Sequence, residues 1–197
     1  MREGAMTHKF AQTMFTANVK AAQLASGSIE QNENLEKNFG PNAQLKLRET
    51  NFISQRDSFY LASVSETGWP YVQHRGGPKG FLKNLDGNLL AYPDFRGNRQ
   101  LVSTGNFAGN NRCSIILMDY ARRRRLKLLG HVRVQDVSLV SSDILDKLAL
   151  SDYKATCERV FFIDVHAFDW NCPAHITPRF SLEELAEMKT IDQTGAK

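Results

Sequence analysis

The sequence has few cysteines and no long apolar run. It contains three cysteines, Cys113, Cys157 and Cys172, and no CxxC pair. This spacing argues against a disulfide framework and a thiolate zinc site, so we expect reduced thiols and no bound metal. No apolar stretch approaches the roughly 18 to 20 residues that cross a bilayer, and the N-terminal residues lack the apolar stretch of a secretory signal. We therefore expect a cytoplasmic protein without membrane contact.

Positive charge is in small excess. Lysine and arginine number 25 against 21 acidic residues, a formal net charge of +4. This excess favours an anionic ligand but is too small to indicate nucleic acid by itself. The densest run, residues 122–125, is four arginines in a predicted hairpin turn without interleaved aromatic residues. We interpret it as a solvated turn or a dimer-rim contact, and we expect no nucleic-acid partner.

The composition is that of an ordinary globular protein, with 42% hydrophobic and 23% charged residues. We predict a helical N-terminal arm over residues 1–42 and a main domain over residues 43–197. Within the arm, apolar spacing predicts one amphipathic helix from His8 to near Ser26, followed by an irregular segment over residues 29–40. A second helix is expected over residues 43–55.

The centre of the chain has the alternation of antiparallel strands. Residues 59–64 and 69–74 flank a Glu-Thr-Gly turn and read as a hairpin. Further strands are predicted over residues 81–82, 89–92, 113–118, 126–134 and 160–165, with a capping-box signature opening a C-terminal helix at Ser181. The fold class predicted is mainly β with peripheral helices, an antiparallel closed or partly closed barrel.

The densest chemical signal lies at residues 73–81, where cations flank glycines. The candidate ligand-binding residues of this first cluster are His74, Arg75, Gly76, Gly77 and Lys79. Glycine lets a ligand approach the backbone closely, and arginine and lysine attract an anion. The alternative is a glycine-rich turn with solvated charges.

A second basic cluster follows at residues 94–101. Arg96, Asn98 and Arg99 stand at the start of a short helix predicted over residues 98–104, where backbone N–H groups and the helix dipole favour a phosphate. We expect Arg75, Lys79 and Arg99 to converge on one phosphate monoester. For this cluster too, a turn with solvated charges is the alternative.

A C-terminal set comprises Trp170, Asn171, His175 and Arg179. It offers an apolar face, a donor–acceptor pair, a group that titrates near neutral pH and a fixed cation, which together could surround a bound ligand. The alternative is structural: Trp170 belongs to the core, Cys172 fills a small space and Arg179 is a surface charge.

Order and spacing make residues 59–134 resemble the pyridoxamine 5'-phosphate oxidase-like FMN-binding proteins. Lys79-Gly80-Phe81 matches the end of that family's R-x-V-L-L-K-G segment, and the Arg96–Leu101 run loosely matches S-R-K-G-x-x-L. Arg75 is displaced by one position, and Gly-Gly-Pro replaces the aliphatic residues. The HRGGPKGF, RGNRQ and DWNCPAHITPR segments are similar to a flavin-nucleotide-binding branch of the family.

The resemblance implies a homodimer of split β-barrels with FMN at the subunit interface. The two basic clusters would contact the phosphate and ribityl chain, and the C-terminal set would reach the ring. Catalytic residues are not identified, but the implied function is an oxidoreductase that passes electrons from a reduced small-molecule donor to a small acceptor or oxygen. Two alternatives stay open: an FMN storage or sensing module without turnover, and a split barrel that holds haem or a deazaflavin. The vitamin-synthesising activity is not implied, because residues 175–179 lack the Arg-Leu-His of that enzyme.

Overall fold

A computed structural model describes residues 8–38, 40–151, 153–170 and 173–194. Within these ranges the helices are α1 (Lys9–Met14), α2 (Ala17–Ala25), α3 (Ile29–Asn38), α4 (Leu47–Ser54), α5 (Val102–Gly109), α6 (Ser142–Leu148) and α7 (Leu182–Thr194). The strands are β1 (Ser58–Val64), β2 (Pro70–Gly76), β3 (Lys83–Asp86), β4 (Leu89–Phe95), β5 (Arg112–Asp119), β6 (Arg124–Asp136) and β7 (Cys157–Trp170). None of the helices in these ranges is both long and apolar enough to cross a membrane.

All seven strands form one antiparallel sheet, in the order β2-β1-β5-β6-β7-β4-β3. Although β2 and β4 stand near opposite ends of this order, Arg75 of β2 is 2.7 Å from Asp94 of β4. The sheet must therefore curl until its two ends meet, as in a split barrel. The prediction of a mainly antiparallel β fold with peripheral helices is confirmed.

The inside of the curled sheet is an apolar core rich in aromatic rings. Phe59 of β1 stacks on Phe81, and Tyr92 of β4 stacks on Phe161 of β7. All four are almost completely buried. Burial of such large rings is a main source of stabilisation and fixes the curvature that brings β2 to β4.

Two residues show how the strands tolerate unusual amino acids. Pro93 lies in β4 beyond the last pair with β3, so its missing N–H leaves no gap in the β3–β4 ladder. Gly130 lies at a bulge where β6 meets β7, and a Cβ there would come 2.8 Å from the Asp164 carbonyl oxygen. Only glycine permits so close a contact between the two backbones.

The N-terminal predictions were partly wrong. The single helix predicted from His8 is two helices, α1 and α2, separated at Phe15–Thr16. The segment predicted to be irregular is helix α3, which apolar periodicity does not reveal because most of its residues are polar. Ion pairs support it instead: Lys37 with Glu33 within the helix and Lys20 of α2 with Glu36.

Three further boundaries differ from the predictions. Helix α5 begins four residues later than predicted, because Arg99 and Leu101 have left-handed backbone angles that a helix cannot include. Strand β7 is much longer than residues 160–165, since it pairs with β4 along one edge and with β6 along the other as far as Trp170. Helix α6 was not predicted, and β3 lies at residues 83–86 instead of 81–82.

Candidate anion-binding site

Strand β2 carries the first basic cluster into the barrel. Because side chains alternate along a strand, Gln73 and Arg75 point to the inner face and His74 to the outer one. The Arg75 guanidinium lies over the rings of Phe161 and Tyr92, with its central carbon 5.1 and 5.8 Å from their centroids. This aromatic floor stabilises a cation that is only 15% exposed.

A buried carboxylate holds Arg75 in place. Arg75 Nη1 donates to Asp94 Oδ1 at 2.7 Å, while Arg159 donates to Asp94 Oδ2 from Nε and Nη2 at 2.9 and 2.7 Å. The β4–β7 register places Asp94 directly opposite Arg159. Sequence reasoning missed Arg159, because only this cross-strand pairing brings it to the site.

The second basic cluster forms the loop between β4 and α5. Asn98 Oδ1 accepts a hydrogen bond from the Gln100 backbone N–H at 3.1 Å, which closes a tight turn. Arg96 Nε and Arg99 Nε lie 2.7 and 3.6 Å from Glu158 Oε1. The hydrogen bond from Arg96, together with the positive field of the neighbouring arginines, lowers the pKa of Glu158. Glu158 therefore holds Arg96 and Arg99 close together.

A small cavity of about 60 Å³ lies between these elements. Its lining residues are Gln73, Arg75, Asp94, Phe95, Gly97, Asn98, Arg99, Leu101, Thr104 and Arg159. Three arginines and one carboxylate give this lining a formal charge of +2. In addition, Arg75 Nε is buried and has no hydrogen-bond partner among the described residues. The volume of the cavity is large enough for several water molecules or one phosphate-sized anion.

Lys79 does not reach this cavity, although it follows Arg75 by four residues. The chain turns away at Gly80, whose φ is +77° and whose missing Cβ leaves room for the Ser54 carbonyl oxygen. Lys79 Nζ instead lies 2.6 Å from Glu183 Oε2 of α7, in a separate cavity. The structure thus brings Arg75 and Arg99 together and leaves Lys79 apart, contrary to the expectation that all three converge.

The other residues of the first cluster lie against protein side chains. His74, on the outer face, packs edge-to-face on Tyr60 with 5.7 Å between ring centroids. Gly76 lies against the His74 ring, and Gly77 lies against Phe81, where a Cβ would meet the phenyl ring at 2.9 Å. Gly77 lines the same cavity as Lys79.

The C-terminal set is spread over three environments. Trp170 Nε1 donates to the buried Glu49 at 2.8 Å, and its ring packs against Phe52, so its side chain ties β7 to α4. His175 is exposed in a turn with φ of 63°. Arg179 lies over the Tyr120 ring at 5.0 Å and lines the Lys79 cavity. Asn171, like Cys172, falls outside the described residues.

The part of the sequence that forms most of this curled sheet matches a known family. The family model for pyridoxamine 5'-phosphate oxidase matches residues 48–160, more than half of the chain. This chain belongs to the pyridoxamine 5'-phosphate oxidase family. The match spans both basic clusters and also Arg159, and it leaves the C-terminal set outside.

Solved structures that are similar to this family member have low sequence identity to it. A HupZ variant from Group A Streptococcus has 15% identity and a TM-score of 0.51, over 64% of this chain and 98% of that one. An F420 reductase has 16% identity and a TM-score of 0.45, over 60% and 94%. An FMN-binding protein from Syntrophomonas wolfei has 11% identity and a TM-score of 0.44, over 79% and 98%. A comparison with curated protein sequences gave no match.

Metal-ligating side chains are scattered in this member of the pyridoxamine 5'-phosphate oxidase family. Among the described residues, no three histidine, cysteine or acidic side chains are grouped as a metal site requires. Two thiols lie in these ranges; Cys113 is buried and Cys157 half-buried. Burial raises the pKa of Cys113 to about 12 and also raises that of Cys157, so neither thiol is activated for chemistry.

Proposed function

We propose that this protein binds FMN, with the phosphate held in the cavity lined by Arg75, Arg99 and Arg159, and uses the flavin for electron transfer. The observation that carries the proposal is the match between charge and size: a lining of +2 around a space for one phosphate-sized group. A phosphate monoester carries a charge of about −1.5 to −2 at neutral pH. Membership of the pyridoxamine 5'-phosphate oxidase family supports the same cofactor.

The donors at this cavity suit a phosphate. Arg75 is preoriented because Asp94 takes one end of its guanidinium, while its buried Nε has no partner among the described residues. Arginine makes forked hydrogen bonds to phosphate, and the N-terminus of α5, which begins at Val102, adds free N–H groups beside the Thr104 side chain. A preoriented set of this kind binds an anion without a large cost in side-chain entropy.

The isoalloxazine ring needs a second surface, because about 60 Å³ is far too small for it. We place that surface between two copies of the chain. The outer face of β1 and β2 exposes apolar side chains, with Val72 61% and Tyr60 39% accessible. Covering such a face with a second copy removes apolar area from water and would enclose a planar ring. His175 remains a candidate for contacts to the ring, whereas Arg179 lines the Lys79 cavity.

Bound flavin would supply the redox chemistry, accepting a hydride or electrons from a reduced donor and passing them to a small acceptor or oxygen. The chain's own contribution is to bind the phosphate, orient the cofactor and exclude water from one side of it. Anaerobic mixing of the FMN-loaded protein with NADH or NADPH separates turnover from storage. Bleaching of the flavin absorbance supports electron transfer, and an unchanged spectrum with every donor favours a storage or sensing role.

The phosphate assignment predicts a selective loss of affinity. Arg99→Gln should weaken FMN binding by about 1.5 to 3 kcal/mol, the value of a hydrogen bond to a charged group, while riboflavin affinity stays unchanged because riboflavin has no phosphate. The measurement is fluorescence titration of apoprotein with each flavin. Lys79→Gln is the matched control, since Lys79 lies in the other cavity and should leave both affinities within twofold. Equal losses for FMN and riboflavin in Arg99→Gln, or a selective FMN loss in Lys79→Gln, would refute this assignment.

The proposed dimer interface predicts that a charge on the exposed face of β2 separates the subunits. Val72→Asp places a charge on the exposed apolar face of β2, where burial in an interface would leave it unpaired. We expect the variant to be a folded monomer by light scattering at micromolar concentration, with lower affinity for FMN and riboflavin alike. Glu33→Gln, on helix α3, provides a control that should stay dimeric. A monomeric wild-type protein with flavin fully bound would contradict the interface.

A further inference from the structure

A second, wider cavity is distinct from the proposed phosphate site. Its volume is about 1050 Å³, and it lies between the ends of β1, β2 and β5 and the C-terminal helix α7. Four cations line it: Arg56, Lys79, Arg122 and Arg179. It shares no lining residue with the 60 Å³ cavity. A space of this size is large enough for a small-molecule ligand.

Acidic side chains of α7 pair with two of these cations, Lys79 and Arg122. Asp57 also lines the cavity, and Asp119 lies 3.5 Å from Arg56 Nη2 and 3.7 Å from Arg122 Nη1. Glu183 Oε2 lies 2.6 Å from Lys79 Nζ, and Glu184 Oε1 lies 4.0 Å from Arg122 Nη1. Glu187, one turn after Glu183 on the same helix face, also lines the cavity. The hydrogen bond to Glu183, followed by the negative field of the other two carboxylates, raises the pKa of Lys79. The helix thus presents its carboxylates where an anionic ligand would place its own.

Over residues 182–188, whose side chains the structure describes, the ion pairs and the large apolar side chains hold helix α7 only weakly. Lys79 and Glu183 are 55% and 73% exposed at their side chains, and ion pairs so exposed to water stabilise a structure little. Apolar burial adds little, because Leu182 is 87% exposed and Leu185 and Met188 are also exposed. Weak docking of this kind is expected of an element that opens locally.

We propose that α7 is an internal competitor that covers a second anion-binding cavity and is displaced by a small polyanionic ligand bearing phosphate or carboxylate groups. Displacement frees Lys79 from Glu183 and removes Glu184 from Arg122, which stays 3.7 Å from Asp119. The ligand then takes over Lys79 and shares Arg122 with Asp119. Arg179 and Tyr120 at the same cavity then offer a cation and an aromatic face to the rest of the ligand. The proposal does not rest on FMN binding, since the two cavities share no residue.

A ligand that competes with α7 binds with an apparent affinity reduced by the fraction of open protein. Removing one carboxylate should therefore strengthen binding. For an exposed pair the gain is limited to about two- to fivefold. Inorganic pyrophosphate is a suitable probe, because it is a small polyanion without an aromatic part.

The test combines calorimetric titration of pyrophosphate with amide hydrogen exchange in the full-length protein. In the wild type, we expect pyrophosphate to accelerate exchange in residues 183–188 several-fold, and we expect Glu183→Gln to bind it about two- to fivefold more tightly. Lys79→Gln should abolish that gain in the double variant. Glu187→Gln should give a smaller gain, and Glu33→Gln, an exposed glutamate on α3, should give none.

Three results would overturn the proposal. The first is wild-type protein that does not bind pyrophosphate. The second is exchange in α7 that stays constant while pyrophosphate binds, or equal affinity in wild type and Glu183→Gln. The third is binding that is lost in Arg99→Gln but kept in Lys79→Gln, which would assign the anion to the 60 Å³ cavity.

Discussion

Arg75 and Lys79 are separated by four residues, but they have opposite environments. Arg75 is partly buried over aromatic rings and bound to Asp94, which is itself buried and shared with Arg159. Lys79 is mostly exposed and bound to the exposed Glu183. One cation is therefore fixed by the sheet, and the other depends on a contact with a helix at the end of the chain.

This difference shows that neighbouring cations in a motif need not serve one site. Strand alternation directs Arg75 inward, whereas Lys79 lies beyond the end of β2 at Gly76, in a turn that includes Gly80 with its positive φ. A buried ion pair strongly resists loss of one partner, whereas an exposed pair is easily exchanged for another anion. The arrangement around Arg75 suits a permanently bound cofactor. The arrangement around Lys79 suits a ligand that binds and dissociates.

The largest effect should come from removing the charge of Asp94. Asp94→Asn leaves Arg75 and Arg159 partly buried beside each other without their shared counter-ion. We expect the free energy of unfolding to fall by about 3 to 5 kcal/mol, as for other broken buried ion pairs. Urea denaturation followed by circular dichroism measures this loss. Glu33→Gln, which removes an exposed carboxylate paired with Lys37, should change stability by less than about 1 kcal/mol. A loss in Asp94→Asn as small as that of the control would mean that the cluster does not depend on its carboxylate.

The sequence predicted the sheet better than it predicted the site. Alternation and the turn at Gly68 indicated the β1–β2 hairpin, and the structure pairs Ser58–Val64 with Pro70–Gly76. The capping box at Ser181 was also confirmed: the Glu184 N–H donates to Ser181 Oγ at 3.1 Å, and the Ser181 N–H donates to Glu184 at 2.9 Å. Both signals are local, so neighbouring residues suffice to reveal them.

The partners within the site depend on distant residues. Asp94 and Arg159 meet through the β4–β7 register, across 65 positions of sequence, and Glu183 meets Lys79 across 104. The chemistry of Arg75, Asn98 and Arg99 was visible in the sequence, and the cavity that brings them together was not. Trp170 illustrates the same limit, because its indole N–H is taken by Glu49 of helix α4, 121 positions earlier. That Trp170 also contacts a flavin remains a prediction.

The smallest effect should come from Lys79. Lys79→Gln removes the ion pair with Glu183, but both side chains are exposed, so the free energy of unfolding should fall by less than about 1 kcal/mol. The raised pKa of Lys79 means that its contribution is complete below the pKa of an unfolded lysine and is lost as pH rises through the higher folded value. The free energies of unfolding of wild type and variant should therefore differ equally at pH 6 and pH 8 and converge only in alkaline solution.

Urea denaturation at these pH values, repeated in high salt to screen the ion pair, measures the difference. Lys37→Gln, which breaks the exposed pair on α3, should lower the free energy of unfolding by a similarly small amount. A loss in Lys79→Gln approaching that of Asp94→Asn would show that α7 is fixed to the barrel, and the contrast between the two cations would fail.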